Sequence, residues 1–286
     1  LLLVKNKLLR QIAGSLETAN LLTLKLLLRN RRNWHRFAGK AFRDYMSLVG
    51  QDRWRSVPIE DIIPGGSGIR ISLEHMDGAG IYAQLDEAAY LALIASYLRP
   101  RHIFEIGTFR GRTTLNFAIN SPPECRIYTL DLPLQDRVFA QSAAHRADAL
   151  IMEKSVTGID YRSRPERSKI EQLFGNSLTF DFAPYYGRMD LVFVDGAHHY
   201  DAVISDTTQA LKMLAPGGVV LWHDFANYGD YNDVTRAILK LVPGDRLVQI
   251  SNSQIALYQP GNDLAQPCLT IPRAEALSPG EWGGAV

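Results

Sequence analysis

The chain has 286 residues, 46% of them hydrophobic and 21% charged, with a net charge of +1. That length holds one large domain with an extension, and the balanced charge argues against a dedicated nucleic-acid binder, which carries a marked basic excess. Two cysteines, Cys125 and Cys268, make neither a disulfide framework nor a zinc knuckle, so a reduced, cytoplasmic setting is expected.

Residues 1–50 read as one or two helices. Leu21, Leu22, Leu24, Leu26, Leu27 and Leu28 are followed by Arg29, Arg31, Arg32, His35 and Arg36. Such a basic amphipathic helix can lie on a membrane surface. Packing on its own domain or on a second subunit is the commoner outcome, and a homo-oligomer is expected. No uncharged run approaches the ~18 residues that span a bilayer, and the small-residue cleavage site of a secretory signal is missing. Residues 54–80 are rich in Pro and Gly, with short apolar pieces at Ile59–Ile63 and Ile69–Leu73 that suit strands or extended loops. This stretch reads as a linker or a cap, so the extension is drawn as residues 1–80.

From Gln84 the pattern sharpens. Asp86 and Glu87 supply an acidic first turn to a helix over Ala88–Leu98, and Pro100 stops it. His102–Ile106 is a short apolar run with the character of a buried strand. The chain breaks at Gly107 and Gly111 and resumes as a helix over Thr113–Ile119. A glycine turn lets a ligand approach the backbone, and the helix after it offers unpaired N–H groups to an anion. Glu105 adds a carboxylate to the same rim.

Arg126–Asp131 is a second strand, ending in an acid 24 positions after Gly107. In nucleotide-binding α/β sheets an acid at that place bonds a ribose diol. Residues 134–169 form a long polar excursion with a helix expected over Val138–Lys154 and a loop at Tyr161–Pro165; long excursions of this kind serve as lids or substrate contacts. Ile170–Phe174 is a third strand, followed by Gly175-Asn176-Ser177. Asp190–Asp195 is a fourth, almost continuously apolar as central parallel strands are, and it ends in Gly196-Ala197-His198-His199-Tyr200. A helix over Asp201–Leu214 leads to Pro216-Gly217-Gly218. A fifth strand, Val219–Trp222, then ends in His223-Asp224. A helix from Asp233 to Leu241 and a hairpin of Arg246–Ile250 with Gln254–Tyr258 complete the domain, drawn as residues 81–260, with a tail over 261–286. Every polar or acidic signature falls at the C-terminal end of a strand, where open α/β sheets bind ligands.

Glu105-x-Gly107-x-x-x-Gly111, Asp131, Gly175-Asn176-Ser177, Val194-Asp195-Gly196-x-His198 and Leu214-x-Pro216-Gly217-Gly218 together resemble class I S-adenosylmethionine-dependent methyltransferases. They are most similar to the branch with macrocin O-methyltransferase and the cephalosporin-type enzymes, methyltransferase domain family 24. The resemblance covers residues 84–259 and implies a Rossmann-like, doubly wound, mostly parallel seven-stranded sheet with a terminal antiparallel hairpin. It implies S-adenosyl-L-methionine as cofactor. Gly107, Thr108, Gly111 and Thr113 would line the methionine part, with Glu105 near its amino group. Asp131 would take the ribose, Asn176 and Ser177 the adenine, and Asp195 would border the same pocket.

Methyl transfer to a hydroxyl is an in-line displacement that needs alignment and removal of a proton. His198 and His199 are the candidate general bases, with Asp224 orienting the ring. Relatives in this branch hold a divalent ion at positions matching Asp195 and Asp224, which implies Mg²⁺ or Mn²⁺ here with His223 as a further ligand. Histidine favours Mn²⁺, Fe²⁺ or Zn²⁺ over Mg²⁺. Phe225 and Tyr228 are candidates for the wall of an acceptor pocket, and Tyr185-Tyr186 for packing beneath the fourth strand. The expected acceptor is a small hydroxylated molecule, sugar-containing or a secondary metabolite. The rival readings are a non-catalytic cofactor-binding scaffold, a membrane-surface partner, and an N-methyl or aminopropyl transferase on the same fold.

Overall fold

The structure is a computed structural model that describes residues 54–76, 84–133, 136, 156–227, 232–261 and 269. The basic amphipathic helix expected in residues 1–50, the helix expected over 138–154, Tyr228 and the tail apart from Gly261 and Leu269 lie outside the described residues.

Strand β1 (Arg55–Val57) and the short helix α1 (Ile59–Ile62) precede α2 (Leu85–Leu98). The alternating core is β2 (His102–Ile106), α3 (Arg112–Asn120), β3 (Arg126–Asp131), β4 (Ile170–Phe174), β5 (Met189–Val194), α4 (Tyr200–Met213), β6 (Leu214–Trp222) and α5 (Asn232–Leu241). Strands β7 (Val248–Ile250) and β8 (Ala256–Tyr258) close it. The eight strands form one sheet in the order β1-β7-β8-β6-β5-β2-β3-β4. Only the pairings of β8 with β6 and β7 are antiparallel; every other pairing is parallel. The sheet reverses its winding between β2 and β5, whose neighbouring C-terminal ends form the crevice in which such sheets bind ligands.

The architecture is the one expected, with one strand more. The eighth comes from the stretch read as linker or cap: β1 pairs with β7 in register Arg55↔Val248 to Val57↔Ile250. Arg-Ser-Val carries too little apolar signal to be read as a strand; the free edge of β7 supplies its partners. Ile59–Ile62 is helical rather than extended. It follows Pro58, whose fixed φ suits the residue before a first helical turn. Ile62 and Ile63 are fully buried.

The central strands are apolar on both faces because helices cover both sides. Ile103, Phe104, Leu191, Val192, Phe193, Val219, Val220 and Leu221 show no exposure at all. Trp222 is buried in the core and donates from Nε1 to Thr207 Oγ1 at 3.0 Å. Tyr185 packs edge-on against Phe104 and Tyr128, whereas Tyr186 remains 38% exposed. Phe225 is fully buried, so it is core rather than pocket wall. Its ring meets Trp54 edge-on at 4.9 Å, and Trp54 Nε1 donates to Gln249 Oε1 at 3.0 Å. Leu269 is buried and its N–H donates to Ile62 O at 2.9 Å.

An edge-on aromatic pair contributes about 0.5–1.5 kcal/mol beyond area burial, and a net hydrogen bond about 1 kcal/mol. Trp54→Ala is therefore expected to lower unfolding stability by about 2 kcal/mol in urea titration, and a change below about 0.5 kcal/mol would show that β1 is not held by this contact.

Candidate active site

The site is assembled by one close approach. Gly107 ends β2 at φ +102°, and a Cβ there would overlap the Asp195 carbonyl oxygen. Only glycine lets the turn after β2 touch the end of β5. Backbone hydrogen bonds extend this row across the sheet. Gly107 N–H donates to Leu130 O at 2.9 Å, Asp195 N–H to Ile106 O at 2.8 Å, Gly175 N–H to Asp131 O at 3.0 Å and His223 N–H to Val194 O at 3.1 Å. The ends of β4, β3, β2, β5 and β6 are thus adjacent, and with them Asn176, Asp131, Gly107, Asp195 and His223-Asp224.

Gly111 is the N-cap of α3 at φ +84°, where a Cβ would overlap the Tyr161 ring. Gly158 N–H and Asp160 N–H donate to Phe109 O and Arg110 O, both at 2.9 Å. The end of the long excursion therefore lies against the glycine turn. From it Thr157 Oγ1 donates to Asp131 Oδ2 at 3.1 Å, a contact with no signature in the sequence. Thr113 stands partly buried in the first turn of α3. Asn176 Oδ1 accepts the Leu178 N–H at 3.0 Å, turning the chain after β4.

Glu105 sits beneath the turn rather than on its rim, 1% exposed. Its Oε2 accepts from Thr114 Oγ1, and from Thr129 Oγ1 at 2.6 Å. Thr108 and Thr129 hydroxyls lie 2.7 Å apart, and Gln172 Nε2 donates to Thr108 Oγ1 at 3.1 Å. Burial pushes the Glu105 carboxyl up to about 8 against the two threonine hydroxyls, with the charges of Asp195 and Asp131 adding to the rise.

The histidines and acids converge at the ends of β5 and β6. His198 Nε2 lies 2.9 Å from Asp224 Oδ2 and His223 Nδ1 lies 3.0 Å from the same oxygen. His223 Nδ1 is also 3.4 Å from Asp195 Oδ1, and its Nε2 is 3.3 Å from Glu87 Oε2. Burial favours a neutral Asp224, but the His223 charge and the two imidazole hydrogen bonds outweigh it and hold the carboxyl well below its usual range. Burial likewise opposes charge on His223, and Asp224 and Asp195 outweigh it, lifting the ring well above the ordinary histidine value. A carboxylate only accepts, so His198 donates to it from Nε2. Asp224 adopts φ +56°, an uncommon conformation for a non-glycine residue that recurs at functional sites. His199 is the N-cap of α4, with a buried Nδ1 that has no hydrogen-bond partner among the described residues; it does not reach the Asp224 cluster through any described hydrogen bond.

Residues 104–225 match the family model of a methyltransferase domain. This stretch of the chain is similar to that family. No curated protein matches the chain by sequence. Among solved structures, cofactor-bound Rv0187 from MTB aligns at 19% identity over 65% of this chain and 82% of its own, with a TM-score of 0.42. The O-methyltransferase TomG from Streptomyces achromogenes, solved with SAM, aligns at 24% identity over 72% and 96%, TM-score 0.41. An O-methyltransferase from Bacillus cereus, solved with SAH, aligns at 18% over 70% and 89%, TM-score 0.40.

In the methyltransferase domain, ligand atoms of Asp195, His198 and Asp224 all come within 4.8 Å of one another. Two carboxylates and an imidazole suit Mn²⁺ or Zn²⁺ better than Mg²⁺. His223, the further ligand expected, stands beside this group with Nδ1 3.4 Å from Asp195 Oδ1 and 3.0 Å from Asp224 Oδ2. Glu87 is the site residue that sequence patterning missed. It was legible as an acid in a helix first turn, but the contact that brings it to His223 spans 136 positions.

Asp206, on α4, is fully buried, and among the described residues neither carboxyl oxygen has a partner within normal hydrogen-bond geometry, with Ser177 its nearest polar neighbour. Burial pushes it from 3.8 up to about 7 against a smaller effect of Ser177. A carboxyl whose folded pKa is raised leaves the unfolded chain with fewer bound protons between those two values, so stability falls as pH rises through that window. Asp206→Asn removes this slope. Relative to the parent, its unfolding free energy is expected to rise by up to about 4 kcal/mol between pH 4 and pH 7, read by denaturant titration at both; parallel pH profiles of parent and variant would contradict it.

Proposed function

We propose that the methyltransferase domain moves the methyl group of S-adenosylmethionine to a hydroxyl of a small molecule, with His198 as general base. The observation that carries this reading is the His198–Asp224 contact at the end of β6, 2.9 Å long and 13% and 10% exposed at the two side chains. The fixed carboxylate sets the tautomer, so Nδ1 of His198 is the basic atom that faces away from Asp224.

The row of strand ends supports the cofactor. Asp131 offers carboxylate oxygens suited to a ribose diol, Asn176 and Ser177 polar groups suited to a base, and the turn at Gly107–Gly111 backbone that a methionine moiety can approach. The α3 N-terminus and Thr113 suit its carboxylate. In the step, the acceptor O–H loses its proton to His198 Nδ1 and its oxygen forms the new O–C bond. The methyl–sulfur bond breaks with its electron pair left on sulfur, giving the neutral thioether S-adenosylhomocysteine. Alignment of oxygen, methyl and sulfur supplies much of such a rate, and a positioned base about 10²–10⁴-fold.

With a divalent ion bound, Asp195, His198 and Asp224 would hold it and the ion would acidify a substrate hydroxyl in place of the imidazole, since a ligating His198 has no lone pair left for a proton. Asp195 keeps its place near His223 in either case. The acceptor class favoured is a hydroxylated, sugar-containing or secondary-metabolite small molecule, since deprotonation of a hydroxyl is the task a neutral imidazole serves. The cofactor reading also favours a soluble setting, and among the described residues no helix is long and apolar enough to cross a membrane.

Two measurements test the reading. Calorimetry with S-adenosylmethionine should show one saturable site per chain, weakened at least about tenfold by Asp131→Ala, which removes two charge-assisted hydrogen bonds to a diol; repeating the titration with Mn²⁺ shows whether the ion joins. S-adenosylhomocysteine release on a panel of hydroxylated sugars should fall about 10²–10⁴-fold in His198→Gln with cofactor affinity within about twofold. Absence of cofactor binding sinks the whole reading, and full activity in His198→Gln sinks the assignment of the base.

A further inference from the structure

Glu87 is 2% exposed and lies outside the matched stretch, yet it touches three separate parts of the chain. Its Oε2 accepts the Gln84 N–H at 2.9 Å, which holds the first turn of α2. Its Oε1 accepts the Gln254 N–H at 2.8 Å, from the turn between β7 and β8. Its Oε2 also faces His223 Nε2 at 3.3 Å. His223 then meets Asp224 Oδ2, on which His198 leans. The sequence of contacts Glu87–His223–Asp224–His198 is continuous, and its first member is anchored to backbone on two sides.

An imidazole with only one bonded nitrogen can pivot about that bond. With Nε2 fixed on Glu87 and Nδ1 fixed on Asp224, the His223 ring has one orientation. Asp224 in turn is held in a left-handed backbone conformation at φ +56°, and its Oδ2 meets both imidazoles. The Glu87 carboxylate needs four acceptor sites at most for its three contacts, which a carboxylate has. A glutamine at the same place offers one acceptor oxygen and no charge, so it cannot serve both the Gln254 N–H on Oε1 and the Gln84 and His223 N–H groups on Oε2.

We propose that Glu87 is a positioning residue for the transfer: it orients His223, and through His223 it sets the Asp224 carboxylate that orients His198. The proposal rests on the reading of His198 as the base. Its distinctive consequence is action at a distance, since Glu87 has no described contact with His198.

The test uses the full chain, labelled with ¹⁵N-histidine, in the presence of S-adenosylhomocysteine. The readout is the downfield N–H proton of His198 Nε2 bonded to Asp224, assigned by its loss in His198→Gln. In Glu87→Gln this resonance should shift or broaden away, while the affinity for S-adenosylhomocysteine stays within about twofold of the parent, as expected for a group that touches no cofactor. His223→Asn, which leaves the Glu87 bonds to Gln84 and Gln254 intact, should disturb the same resonance, and the double variant should add nothing to either single one. An unchanged His198 signal in folded Glu87→Gln overturns the proposal; so does independent addition of the two substitutions. Should Glu87→Gln fail to fold, an unchanged His198 signal in His223→Asn overturns it. Failure of the parent to bind S-adenosylhomocysteine would count against the cofactor reading instead.

Discussion

The contact between Gly107 and the Asp195 carbonyl is the constraint on which the site depends. It occurs where the sheet reverses its winding, and it leaves no room for a side chain. Because the turn after β2 rests directly on the end of β5, the glycine turn, Asp131 and the histidine cluster stand at adjacent strand ends on one edge of the sheet. A larger residue at position 107 would push the two strand ends apart. The loss would reach Glu105 beneath the turn and Asp195 beside it, since both take their places from that backbone.

Two kinds of buried charge follow from this packing. Asp224, Glu87 and His223 are charged groups that hold one another, so burial sharpens their interaction. Glu105 and Asp206 are carboxyls with no cationic partner among the described residues, and burial raises both. The first group depends on every member being present. The second tolerates neutral isosteres and loses stability as the solution becomes more alkaline.

Much of the sheet was legible in the chain. Apolar runs such as Asp190–Asp195 and Val219–Trp222 have the character that covered parallel strands require, and Gly107, Asp131 and His198 fall at their ends. β1 was not legible, since three residues without apolar alternation become a strand only beside the open edge of β7. Phe225 looked like pocket wall from its place after Asp224, but its ring turns inward to Trp54 across more than half the chain. The histidines were legible as a group and not as individuals: which ring nitrogen meets which oxygen is fixed by the backbone at Asp224 and by Glu87, neither of which leaves a local pattern. Thr157 likewise reaches Asp131 only because the excursion returns to the glycine turn.

The central claim is that five strand ends make one pocket for a sulfonium nucleoside with an imidazole at its reacting end. A crystal structure of the full chain grown with S-adenosylhomocysteine tests it most directly. The account predicts ribose oxygens on Asp131, the base beside Asn176, and the sulfur facing the crevice bordered by His198 and Asp224. A nucleoside bound elsewhere on the molecule, or bound here with its sulfur turned away from His198, would contradict it.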